Sequence, residues 1–261
     1  MHTEKEDRKS DGRGRKGSIS VVGIGPGGLD HLTGKALEAL KGADRVVGYA
    51  RYIDLILPII PGKAVFSTGM TGEVERCRKA IEFAREGDTV AVVSSGDSGI
   101  YGMAGLILEL VEAESPGLKV DVIPGVPAFA AASAILGAPL MHDFASVSLS
   151  DLLTDWALIE ERVEAAAKAD FVIVLYNPKS SKRVEGLSKA VDIMLKHRSK
   201  ATPVGIVKNA TRDNEATAVT TLGEVGAHYA AIDMLTILIV GNSSSYVRSG
   251  RIITPRGYSL R

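Results

Sequence analysis

Apolar positions along this chain follow two periods in turn. Short apolar or β-branched stretches at residues 19–22, 45–47, 90–93, 118–123, 144–149, 171–176, 203–207, 217–221 and 236–240 read as strands. Between them, apolar residues recur at helical spacing and predict helices starting at Thr33, Tyr49, Thr71 and about Ile100. Further helices are predicted over 127–136, 156–168 and 183–196. Thr33 and Thr71 are N-cap residue types, while Pro58 and Pro61 close the second helix. On the third helix Val74, Cys77, Ile81 and Ala84 share one face, which makes Cys77 a core residue.

This alternation predicts an α/β fold. It pauses at Gly137-Ala138-Pro139 and restarts near residue 145, so two α/β domains are expected, at 18–139 and 145–258. Residues 1–17 are charged and nearly devoid of apolar side chains, and read as a disordered tail without the apolar core of a secretory signal. Composition narrows the function more than the fold. With 31 basic and 31 acidic residues, the chain lacks the excess charge of a nucleic-acid or membrane-surface binder. No apolar run is long enough to span a bilayer, and five scattered histidines with one cysteine show no metal-ligand spacing. A cytoplasmic protein without its own metal is the expectation.

Two glycine-rich turns carry the candidate chemistry. The first, Gly23-Ile24-Gly25-Pro26-Gly27-Gly28, formally fits the dinucleotide pattern G-x-G-x-x-G. A nicotinamide site also needs a helix starting among the glycines and an acid ending the second strand. Here Leu29-Asp30-His31-Leu32 intervenes, and the second strand ends Val47-Gly48-Tyr49. A tight turn, or a loop closely approached by some other ligand, fits better. The second turn, Ser94-Ser95-Gly96-Asp97-Ser98-Gly99, follows a buried strand and leads into a helix, the place where open α/β sheets bind ligands. Cations gather after strand ends at Lys179, Lys182 and Arg183, at Lys208 and Arg212, and near the C-terminus at Arg248, Arg251 and Arg256. In a chain of zero net charge they suit a small polyanion better than nucleic acid. Serines without the G-x-S-x-G elbow give hydrolase chemistry no support.

Taken in order, GIGPG at 23–27, SSGDSGIYG at 94–102 and IPGV at 123–126 resemble the tetrapyrrole methylase family of cobalamin and sirohaem synthesis. The likeness runs from Ser18 to Tyr258. It implies two α/β domains with the active site in the cleft between them, a homodimer, a tetrapyrrole substrate and S-adenosylmethionine as methyl donor. It implies that Pro26, Ser95, Gly96, Asp97, Ile100, Tyr101, Gly102, Val126, Pro127, Ala128, Tyr176, Asn177 and Asn209 help bind the methyl donor. Gly23, Gly25, Pro26 and Gly27 would border the tetrapyrrole, with Lys179, Lys182 and Arg183 as candidates for its carboxylates. Asp97, Tyr101 and His142 are the candidate acids or bases. This chain departs from the family pattern at Ser98, where proline is usual, and at Pro127, where threonine is usual.

Overall fold

The computed structural model describes residues 17–181 and 183–259, so the expectations for residues 1–16 and for Lys182 lie outside the described residues. Among the described residues, thirteen strands and seven α-helices make an α/β fold of two compact units. The first unit takes residues up to Ile24 and Thr33–Gly125; the second takes Gly25–Leu32 and Val126 onward. The change of unit therefore falls ahead of the 138–145 stretch where the sequence alternation restarts.

In the first unit, β1 (Ser18–Gly23), β2 (Arg45–Tyr49), β3 (Ala64–Thr68), β4 (Thr89–Ser94) and β5 (Lys119–Ile123) form a parallel sheet in the order β3-β2-β4-β1-β5. Four helices connect them: α1 (Gly34–Gly42), α2 (Ala50–Ile56), α3 (Glu73–Arg85) and α4 (Ala104–Glu114). Thr33 caps α1 as predicted, its side chain accepting from the Ala36 amide at 3.1 Å. Helices α3 and α4 bury Cys77, Ile81 and Ile107 against Ile19, Val21, Val90 and Val92. Burial pushes the Cys77 thiol up to about 12, as suits a core residue. Strand β3 lies on the sheet edge with Ala64, Val65 and Ser67 exposed, so its sequence lacks the apolar signal that marks the inner strands. Val74, expected beside Cys77, is instead exposed in the first turn of α3.

The second unit holds β6 (Gly137–Ala138), β7 (Phe144–Ser148), β8 (Val172–Tyr176), β9 (Pro203–Lys208), β10 (Ala216–Thr221), β11 (Thr236–Val240), β12 (Tyr246–Arg248) and β13 (Arg251–Ile253). Its main sheet runs β10-β9-β11-β8-β7, with β11 antiparallel to both neighbours, so β7, β8 and β9 all point the same way. Alternate residues of each strand serve opposite faces. Ile173, Leu175, Leu238 and Val240 meet α6 (Trp156–Lys168) and α7 (Gly186–Leu195), while Val172, Val174, Ile237 and Ile239 meet α5 (Ala128–Leu136). The small-residue helix α5 thus packs on the second sheet. Strands β12 and β13 pair as a ribbon that adds β6. They take up Arg248 and Arg251, which the sequence grouped as part of a cation cluster.

A buried arginine ties the helix face of this unit together. Arg198 donates to the carbonyls of Ala166, Ala167, Phe171 and Gly241 at 2.6–3.3 Å and pairs with Asp170 at 3.0 Å. No helix among the described residues is long and apolar enough to cross a membrane.

Candidate active site

In the first unit the chain leaves β4 at Ser94 and enters α4 only at Ala104, later than the helix start near Ile100 that the spacing predicts. Tyr101, at φ +51°, interrupts the helical run, and the Ala104 amide reaches back to the Ser98 carbonyl at 3.0 Å. The result is an open turn over 95–103. Asp97 holds it in shape: Oδ1 accepts from the Gly99 amide at 2.8 Å and Oδ2 from the Gly125 amide at 3.0 Å. Ser98 is fully buried, its hydroxyl donating between the carbonyls of Val21 at 3.2 Å and Ile123 at 3.3 Å. Where the family pattern has proline, this chain braces the same turn by a hydrogen bond.

Glycines set the spacing. A Cβ at Gly125 would fall on the Gly96 carbonyl, and one at Gly23 would stand 2.6 Å from the Gly125 nitrogen and 2.8 Å from the Gly96 oxygen. The ends of β1, β4 and β5 meet at these three residues, and Gly96 itself takes φ +66°. Because Asp97 and Ser98 are committed to backbone partners, Gly99 and Tyr101 are what the turn exposes. An open turn of small residues at a sheet's carboxyl edge fits a ligand held largely through main-chain groups, as the resemblance implies for S-adenosylmethionine.

The second unit gathers its candidates at the carboxyl edge of β7, β8 and β9. The hydroxyl of Tyr176 accepts from the Phe129 amide at 3.2 Å, placing the start of α5, with Pro127 and Ala128, beside the end of β8. Asn177, at φ +51°, donates Nδ2 to the Ser148 hydroxyl at 2.9 Å. Asn209, at φ +52°, follows β9 and donates to the Asn214 carbonyl at 3.3 Å. Against this segment lies the glycine–proline loop. Arg212 donates Nε to the Pro26 carbonyl at 2.5 Å, and a Cβ at Gly27 would fall on the Arg212 side chain and 2.9 Å from the Thr211 oxygen. Gly25, at φ +78°, closes the loop over the His31 carbonyl. The loop glycines therefore serve close approach, the alternative to a pyrophosphate cradle.

Two residues here escaped the sequence reading. The buried Nδ1 of His31 and Oγ1 of Thr211 have no hydrogen-bond partner among the described residues. His31 Nδ1 and the Thr211 carbonyl both lie beside Gly28, and a bound polar group or water would satisfy the two unpartnered atoms. Nothing in the local sequence marks them, because the contact joins segments about 180 residues apart.

Other candidates are spent or misplaced. Lys179 donates to the Tyr229 carbonyl at 2.7 Å, and Arg183 to the Leu149 carbonyl at 3.2 Å, so both brace the segment after β8. Lys208 pairs with Asp233 at 2.7 Å. His142 precedes β7 and lines an open groove with Asp170, Asn242 and Arg256. It stands at the amino edge of the second sheet, away from Tyr176 and Asn177 by the length of β8, about 16 Å at 3.3 Å per residue. That placement sets it apart from the candidates at the carboxyl edge.

A family model for tetrapyrrole (corrin/porphyrin) methylases matches residues 18–226. The chain belongs to the tetrapyrrole methylase family. Among curated members, it is 51% identical over 242 residues to a Salmonella typhimurium protein named probable cobalt-factor III C(17)-methyltransferase, covering 93% of this chain and all of that one. It is 48% identical to the cobalt-factor III methyltransferase of Priestia megaterium, matching 94% of this chain but 46% of that longer protein. Among solved structures, the methyltransferase CobJ superposes with a TM-score of 0.86 at 34% identity, over 92% of this chain and all of CobJ. A Thermus thermophilus uroporphyrin-III C-methyltransferase solved with S-adenosylhomocysteine matches at 0.67 and 25% identity, over 86% of this chain and 97% of that one. Membership in the tetrapyrrole methylases makes this chain a methyltransferase, and it agrees with the α/β fold and with the order of the glycine-rich turns.

Proposed function

We propose that this protein transfers the methyl group of S-adenosylmethionine to C17 of a trimethylated precorrin, with accompanying ring contraction, in cobalamin biosynthesis. The substrate is cobalt-precorrin-3, its oxidised form cobalt-factor III, or the metal-free, C20-hydroxylated precorrin-3B. The observation that carries this reading is the full-length 51% identity to the Salmonella typhimurium protein of that name. Stretches such as VVGYARYIDL (46–55), STGMTGEVERCRKAI (67–81) and ITPRGY (253–258) resemble the same member.

The bound donor supplies an electrophilic methyl group on its sulfonium; the protein supplies placement. The 95–103 turn would hold the donor through main-chain groups, with Asp97 and Ser98 fixing the turn's shape from inside. Tyr176 would fix the start of α5, and Asn177 and Asn209 the strand ends beside it. The loop 25–28, backed by Arg212, would border the macrocycle, with His31 and Thr211 offering polar atoms to it. Holding nucleophile and methyl in line supplies up to about 7–11 kcal/mol of a barrier through proximity. Of the candidate acids and bases, Asp97 serves as a brace, which leaves the half-exposed Tyr101 at the carboxyl edge. Arrangement as a cytoplasmic homodimer accords with the family resemblance, and sedimentation of the purified chain tests the dimer.

Incubation with S-adenosylmethionine and cobalt-factor III should add one methyl group, placed by NMR on C17 of a contracted ring. A methyl group on C11 or C20 would retain the family and overturn this position. No transfer to any precorrin would overturn the reading.

A further inference from the structure

The β3–α3 turn, residues 68–72, is held by an arginine that no step above uses. Arg76 lies in α3 with its side chain 5% exposed. Its Nη1 donates to the Thr68 hydroxyl at 2.6 Å and to the Gly69 carbonyl at 2.9 Å. Its nearest carboxylate, Glu73, stands 3.4 Å from Nη2 and is itself about half exposed. A buried cation is costly to keep, and this one is spent mainly on the two neutral oxygens of one turn.

The turn is constrained in two further ways. Thr71 takes φ +68°, where a β-branched residue is an outlier. Gly72, not the predicted Thr71, is the N-cap of α3, and a Cβ there would fall on the Thr68 hydroxyl and 3.4 Å from Arg76 Nη1. Such over-determined strain marks segments whose shape matters to function.

What the turn displays is Met70, 65% exposed at the carboxyl edge of the first sheet. Strand order puts the end of β3, which leads into this turn, two strands from the end of β4, about 10 Å at the usual strand spacing. The intervening strand β2 ends at Tyr49, whose ring meets Tyr52 edge-on at 5.1 Å. An exposed thioether on the same sheet edge as an aromatic pair and the candidate methyl-donor turn suits a flat conjugated ring with an apolar face.

We infer that Met70 contacts the face of the tetrapyrrole macrocycle, and that Arg76 is the positioning residue that holds Met70 there. This rests on the tetrapyrrole reading above and adds to it the part of the first unit that receives the ring.

The test measures two affinities on the full chain: cobalt-factor III by absorbance titration, and S-adenosylhomocysteine by calorimetry. Met70→Ala should weaken cobalt-factor III binding about tenfold, as expected for loss of a buried apolar side chain, and leave S-adenosylhomocysteine within about twofold. Met70→Leu should restore most of the loss. Arg76→Met should reproduce the Met70→Ala pattern, with partial rescue by Arg76→Lys. Unchanged cobalt-factor III affinity in Met70→Ala would overturn the inference, and Met70, being exposed, tests it without disturbing the fold. A lower melting temperature in Arg76→Met with both affinities intact would overturn the positioning role. Wild-type protein that binds cobalt-factor III without methylating it would sink the proposed function while leaving this test readable.

Discussion

Tyr176 and Phe129 are joined by a hydrogen bond in which a strand-end phenol caps a helix that lacks a capping side chain of its own. Pro127 occupies the N-cap position, where threonine is usual in the family and where serine or threonine would accept from the first-turn amides. The tyrosine supplies the missing acceptor from the end of β8. Replacing Tyr176 with Phe should cost about 1 kcal/mol of stability and weaken S-adenosylmethionine binding by loosening the start of α5. Urea denaturation and calorimetry on one sample check both. Unchanged affinity would separate α5 from the donor site.

Gly96→Val should abolish donor binding in a protein that still folds. The residue at 96 sits at φ +66°, where a side chain costs about 1–2 kcal/mol, and its carbonyl packs against Gly23 and Gly125. Calorimetry with S-adenosylhomocysteine decides it, alongside a far-ultraviolet spectrum that should match wild type. Wild-type affinity would move the donor away from the 95–103 turn.

Asp97 serves as a brace in this structure, which makes a kinetic prediction. Asp97→Ala should raise KM for S-adenosylmethionine by freeing the Gly99 and Gly125 amides, whereas the pH profile of kcat should keep its shape. Loss of one limb of that profile would instead make Asp97 a proton carrier.

The pair Asp233–Lys208 should lend the second unit acid-sensitive stability. Burial alone would raise the Asp233 carboxyl, but hydrogen bonds from Lys208, the Leu235 amide and Thr236 outweigh it and hold the group below the usual carboxylate range. A depressed folded-state value stabilises above the unfolded-state value, near pH 4, and that contribution disappears as pH falls through the folded value. The stability gap between wild type and Asp233→Asn should therefore be widest at neutral pH and narrow below about pH 4. A gap independent of pH would show that the carboxylate charge contributes nothing.

Arg198→Met should be the most damaging single change outside the glycine turns, at about 3–5 kcal/mol, since it leaves four carbonyls and Asp170 without their shared donor. Thermal melts read the effect directly. A loss under about 1 kcal/mol would mean that water replaces the guanidinium.

Sequence patterning revealed the strands whose two faces are both buried, β1, β4, β8 and β11, because continuous apolar runs admit few other readings. It missed β3, an edge strand with outward-facing small and polar residues, and the ribbon β12–β13, whose residues are mostly exposed. The glycine turns were legible as sites of close approach. What they approach was not: Arg212 against Pro26, Tyr176 against Phe129 and Asp97 against Gly125 join segments far apart in the chain. The position of His142 at the amino edge was not legible either, since residue type gives no hint of which end of a strand a side chain occupies.

The antiparallel strand β11 has a consequence for how the protein is made. All five strands of the first sheet lie within residues 18–123, so that sheet can close while the ribosome is still producing the remainder. The second sheet cannot: β8 and β9 are neighbours only through β11, which begins at Thr236. Until those residues emerge, each strand presents an apolar edge with unpaired amides, the surface most prone to pair with other chains. A ribosome stalled before residue 236 would thus carry one finished sheet and one open wound, and chaperones should meet this protein late in its synthesis.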